Sequence, residues 1–262
     1  MVKKWLIGLV TIIILCFFTV YMFQEKLIFL SEKLDKDYQY SFEQSFEEIN
    51  LQTSDNETIN GLYFTVEKPK GAILFFHGNK GNLTRWGNIV QYFNQFQYNV
   101  FVIDYRGYGK STGKFNEEKM YLDALLSYNF LKQRFTENQI VVYGRSLGTT
   151  FATKVASENN PKQLILESPF YSLSRAVKYQ FKFGLKSILK YQFPTYNFIN
   201  KVQSSVLIFH GTDDKVTSFK DSEDLFEMIH HKNKSLIKIQ KGTHHNLRDF
   251  NLYEIELKKI LK

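Results

Sequence analysis

The stretch Gly144-Arg145-Ser146-Leu147-Gly148 is where residue types and spacing point most directly to chemistry. A strand-like run, QIVVY, leads into it, and a small-residue, helix-like run, TTFATKVASEN, follows. Strand, sharp turn and helix around G-x-S-x-G are what lift a serine Oγ clear of the backbone for nucleophilic attack. The same turn aims the Leu147 N–H into that space, where it can donate to a developing oxyanion. The plainer alternative is a serine that only caps the helix. A serine hydroxyl is a weak nucleophile unless a base accepts its proton and a carboxylate orients the base. Two downstream segments offer such groups, His210-Gly211-Thr212-Asp213-Asp214 and Gly242-Thr243-His244-His245-Asn246. Each follows a strand-like run (SVLIF and SLIKI), at the carboxyl end where ligand sites of parallel sheets gather. Two adjacent acids and two adjacent histidines leave the pairing open at this point.

These segments need a scaffold, and the rest of the chain supplies its pattern. Residues 45–53 and 59–66 read as an antiparallel pair turning at Asp55-Asn56. GAILFF, NVFVID, QIVVY, QLILE, SVLIF and SLIKI are short β-branched or aromatic runs, as expected of strands buried on both faces. Helix-like segments separate them, most clearly residues 117–135, with Asn116 as N-cap. The alternation predicts right-handed crossovers, hence an α/β class with a mostly parallel, doubly wound sheet.

Ahead of this domain, residues 5–23 (WLIGLVTIIILCFFTVYMF) carry no charge. As a helix they reach about 28 Å, close to a hydrocarbon core of about 30 Å. The expectation is an uncleaved transmembrane anchor over residues 1–24 and a single α/β domain over 25–262. Lys3 and Lys4 before the run place the domain on the extracytoplasmic side of a single-pass protein. A cleaved signal peptide is the rival, but the first alanine is Ala72, and no small-residue cleavage site precedes it.

The chain resembles the α/β-hydrolases of the serine aminopeptidase S33-like group, in particular their membrane-anchored Bem46-like branch. FQEKLIFLSEKLDKDY, FFHGNKGN, DYRGYGKSTG, VVYGRSLG, LESPFYSL, VLIFHGTDDKVT and GTHHN carry the resemblance, in order. It implies an α/β-hydrolase fold with a short cap (about 169–200) and the chain order Ser, Asp, His. The family acid in H-G-x-x-D falls on Asp214 in preference to Asp213. The family base, which precedes Asn in G-x-G-H-N, falls on His245, although His244 here replaces a glycine and leaves room for the other choice. The loop after GAILFF implies Asn79 N–H as the oxyanion partner of Leu147. No metal and no organic cofactor are expected.

A formal charge of +8 is spread along the 262 residues, and no zinc-finger spacing or Walker loop accompanies it, so no nucleic-acid partner is expected. Cys16 is the only cysteine, which excludes disulfides within the domain. In the cap, Lys178, Lys182, Lys186 and Lys190 recur every four residues among aromatic and aliphatic residues, predicting an amphipathic helix. An apolar cap beside a membrane-tethered site favours a small-molecule or lipid-like acyl substrate, and hydrolysis of an ester or thioester through an acyl-enzyme. Aminopeptidase action and a non-catalytic binding platform are the alternatives.

Overall fold

The computed structural model describes residues 2–182 and 188–261. Eight strands form one sheet: β1 (Phe46–Gln52), β2 (Thr58–Phe64), β3 (Gly71–Phe76), β4 (Tyr98–Ile103), β5 (Ile140–Arg145), β6 (Gln163–Glu167), β7 (Ser205–Gly211) and β8 (Lys234–Ile239). Their spatial order is β1-β2-β4-β3-β5-β6-β7-β8. β1 and β2 are antiparallel, β2 is antiparallel to β4, and the remaining neighbours are parallel.

Every residue of β3, β4, β5 and β6 is buried, because helices cover both faces of the sheet. Side chains of a strand alternate between faces, and β3 shows it. Ala72, Leu74 and Phe76 join the core beneath α3 (Glu117–Lys132) and α4 (Gly148–Glu158). Ile73 and Phe75 join the core beneath α2 (Leu83–Val90) and α8 (Asn251–Leu261). Phe75 stacks on Tyr143 of β5 with centroids 4.9 Å apart. Asn116 caps α3 by accepting from the Lys119 N–H, as the sequence pattern expects. The connection from β3 through α2 to β4 runs to one side of β3, and β5 to β8 build outward on the other. The resulting switch point lies at the carboxyl ends of β3 and β5, where such sheets bind ligands.

Two expectations are corrected. The N-terminal run is helical (α1, Val2–Ile28, 27 residues), but no helix among the described residues is long and apolar enough to cross a membrane. The anchor assignment and the single-pass, extracytoplasmic placement built on it therefore fall. α1 continues past the expected boundary at residue 24, and its last turns are built into the domain. Gln24 is buried against the 188–190 backbone, and Phe29, one residue beyond the helix, enters the core. The cap is also not one helix through its four lysines. α5 (Leu173–Phe181) stops where Lys182 turns left-handed at φ 65°, and Phe183, Leu185 and Lys186 lie outside the described residues. Two short helices complete the fold on that side, α6 (Tyr196–Ile199) and α7 (Phe219–Glu227).

Candidate active site

β5 delivers Ser146 into a turn that only a few residue types tolerate. Ser146 has φ 51°, a left-handed conformation that costs an L-residue roughly 1–2 kcal/mol. Its N–H donates to the Glu167 carbonyl at 2.9 Å, and its carbonyl accepts from the Thr149 N–H and Oγ1 at 3.0 and 2.6 Å, so the strain is held from both sides. The flanking glycines are sterically required. A Cβ on Gly148 would stand 2.0 Å from the Phe76 carbonyl oxygen, and one on Gly144 would stand 2.6 Å from the Thr149 Cα.

A hydrogen-bonded relay runs away from the serine. His244 Nε2 lies 3.0 Å from Ser146 Oγ, and His244 Nδ1 lies 2.7 Å from Asp214 Oδ2. Asp214, in the loop after β7, is buried and accepts from the Val216 and Thr217 N–H groups at 2.7 and 2.9 Å. His210 is fully buried beneath it, with Nε2 3.4 Å from Asp214 Oδ2 and Nδ1 2.6 Å from Ser222 Oγ. Burial alone would raise the Asp214 carboxyl, but hydrogen bonding with His210 and His244 outweighs it and holds the group well below the usual carboxylate range. Asp213 is exposed, and its Oδ1 accepts from the neighbouring Thr212 Oγ1 at 3.1 Å.

Sequence favours His245 for contact with the serine and the acid, but the structure brings His244 between Ser146 and Asp214 instead. Asn246 Oδ1 accepts from the Thr243 N–H and Oγ1 at 2.7 and 2.8 Å, which closes a tight turn. Arg145 Nη2 donates to the His244 carbonyl at 3.1 Å. Held at both ends, the turn sends the His244 ring inward and the next ring outward. His245 is exposed at the rim, its ring perpendicular to that of His244 at 5.2 Å, and partial desolvation of the ring, then His244 and Arg145 nearby, lowers its pKa. Arg145 itself is fixed by Glu167, Nε to Oε1 at 3.0 Å.

Leu147 opens the first turn of α4 beside Ser146. The Gly78-Asn79 loop lies against the same serine, since a Cβ on Gly78 would meet Ser146 Cβ at 3.7 Å and the Trp86 ring at 3.3 Å. That loop is pinned from several sides. Tyr105 Oη donates to the His77 carbonyl at 2.7 Å, Tyr108 Oη to the Asn79 carbonyl at 2.8 Å, and Asn79 Nδ2 to the Ile28 carbonyl at 2.8 Å. The strap that follows α1 adds three bonds, Gly81 N–H to the Leu30 carbonyl, Glu32 N–H to the Gly81 carbonyl and Asn82 Nδ2 to the Glu32 carbonyl. Beneath the loop, His77 Nε2 and Asp104 Oδ1 are 3.3 Å apart and fully buried. Burial raises the Asp104 carboxyl, with His77 opposing. This pairing has no local signal in the sequence, because the two residues stand far apart in it. Arg106 is buried, grips Asp123 bidentately at 2.7 Å and reaches Asp55 at 3.2 Å, a set of structural contacts.

An apolar groove with a cavity volume of about 1010 Å³ opens over Ser146 and His244. Among the described residues the charged side chains on its lining are Lys80, Arg85 and Arg145, with no carboxylate. Among the described residues no group of three His, Cys, Asp or Glu side chains converges as metal ligands would. The arrangement places a hydroxyl in hydrogen-bond reach of a histidine that is itself paired with a buried carboxylate, beneath an apolar groove.

The relay makes a stability prediction. A carboxylate depressed in the folded state adds stability that is fully present above the unfolded value, about 3.9, and is lost as pH falls below it. Wild type is therefore expected to be more stable than Asp214→Asn from neutral pH down to about pH 4, with the difference shrinking in more acid solution. Melting temperatures of both proteins across pH 2.5–7.5 check this, and a constant difference over the whole range would contradict it.

Residues 67–205 match the family described as Serine aminopeptidase, S33. The chain is 32% identical over 223 residues to uncharacterized protein R595 of Acanthamoeba polyphaga mimivirus, covering 75% of this chain and 74% of the relative. It is 30% identical over 202 residues to the human alpha/beta hydrolase domain-containing protein 17B, covering 76% and 69%. Among solved structures it superposes on the Pyrococcus furiosus esterase Pf2001 with a TM-score of 0.71 at 18% identity, covering 88% of this chain and 97% of the esterase. With an eight-stranded sheet of this order and relatives that align along most of its length, the chain belongs to the serine aminopeptidase S33 family and has the α/β-hydrolase fold.

Proposed function

We propose that this protein is a serine hydrolase that cleaves an acyl ester or thioester through an acyl-enzyme. One observation carries the reading: Ser146 Oγ, His244 and Asp214 form a continuous relay at the floor of an apolar groove. Ser146 Oγ attacks the acyl carbonyl while its proton passes to His244 Nε2. The carbonyl oxygen becomes an oxyanion that the Leu147 and Asn79 N–H groups receive. Collapse expels the alcohol or thiol, which takes the proton from His244. A water then gives a proton to His244 and attacks the acyl-serine, and collapse of the second oxyanion releases the carboxylic acid and returns the proton to Ser146. Asp214 stays ionised throughout and steadies the imidazolium.

The groove argues against the aminopeptidase alternative. A free α-ammonium group needs a carboxylate close by, and the charged side chains on the lining are cations. A non-catalytic platform would have no use for a strained serine in hydrogen-bond reach of a histidine already paired with a buried acid.

Purified protein is expected to hydrolyse p-nitrophenyl esters of alkanoic acids and to release no p-nitroaniline from alanine or leucine p-nitroanilide. Anilide turnover exceeding ester turnover would reverse the choice between the two reactions.

A further inference from the structure

The groove has two principal walls, and one of them is α1. Phe17, Val20, Gln24 and Leu27 line it, and their 3-4-3 spacing places them on a single face of the helix. α5 supplies the opposing face through Leu173, Ala176, Val177 and Gln180, again at helical spacing. α1 is clamped in this position. The Gln24 amide is buried and bonds twice to the cap backbone, Nε2 to the Ile188 carbonyl at 3.0 Å and Oε1 from the Lys190 N–H at 2.8 Å. Tyr191 Oη donates to Glu25 at 2.8 Å, and Lys190 lies 3.6 Å from the same carboxylate.

We propose that the Val20–Leu27 face of α1 selects for acyl chain length, so that the N-terminal helix acts as a second cap over the site and favours a long unbranched acyl group. This rests on the hydrolase reading above and goes beyond it by assigning specificity to an element outside the segment usually read as the cap. Orientation along α1 follows from the contacts. Its Ile28 end touches the oxyanion loop through Asn79 and marks the reacting end of the groove. Val20, eight residues back, is about 12 Å farther along the helix axis. An acetyl group occupies only the reacting end, whereas a chain of twelve carbons must pass the Val20 face.

The test is the ratio of kcat/KM for dodecanoyl and acetyl p-nitrophenyl esters, measured on full-length protein. Val20→Trp is expected to lower that ratio at least about tenfold. Leu9→Trp, on an exposed part of α1 away from the groove, is expected to leave it as in wild type. Dodecanoate binding by calorimetry is measured in parallel because it needs no turnover, and Val20→Trp is expected to weaken it by a similar factor. An unchanged ratio together with unchanged dodecanoate binding in Val20→Trp would overturn the assignment of α1. Absent ester turnover in wild type with dodecanoate binding still sensitive to Val20→Trp would leave the groove standing and remove the hydrolase reading instead.

Discussion

His244→Ala is expected to lower kcat for ester hydrolysis by at least about 10³-fold, while His245→Ala costs less than about tenfold. Only His244 bridges the serine and the buried acid, at 3.0 and 2.7 Å. Without it Ser146 has no proton acceptor, and residual catalysis rests on the oxyanion donors and substrate binding alone. His245 stands at the groove rim, so its loss reaches substrate contact more than proton transfer. The two variants are matched in chemistry and adjacent in sequence, so a general loosening of the loop would affect both. Steady-state kcat and KM for the pair decide the matter, and a larger kcat loss in His245→Ala would contradict the assignment.

Ser146→Ala is expected to abolish ester hydrolysis, with a loss as large as that of His244→Ala or larger, since among the described residues Ser146 supplies the hydroxyl against His244 Nε2. Folding should hardly notice. Alanine meets the same left-handed backbone cost as serine at φ 51°, and the one side-chain hydrogen bond lost is worth about 1 kcal/mol. Activity and thermal melting measured on one preparation separate these effects. An inactive variant that had also lost several degrees of melting temperature would point to a structural role.

Much of the fold was legible because its rules are local. GAILFF and QLILE became strands over the residues their composition marked, and Asn116 capped the helix it preceded. The elbow was legible for the same reason, since Gly144 and Gly148 answer to contacts within a few residues and one neighbouring strand. The histidine pair was not. Two identical side chains in a turn differ only in which way the backbone faces, and that is set by the Thr243–Asn246 lock and by Arg145, 99 positions from His244 in sequence. The α1 helix failed differently. The 17-20-24-27 face was present in the sequence, but uniform apolarity hid it, and the Gln24 clasp that fixes the helix to the cap lies 164 residues away.

The most direct measurement is the site of covalent capture. Full-length protein treated with a fluorophosphonate, digested and analysed by mass spectrometry is expected to carry one adduct, on Ser146, formed quickly in wild type and in His245→Ala and slowly in His244→Ala. An adduct on another residue, or wild-type protein that stays unlabelled while folded, would contradict the assignment of Ser146 as the nucleophile activated by His244 and Asp214.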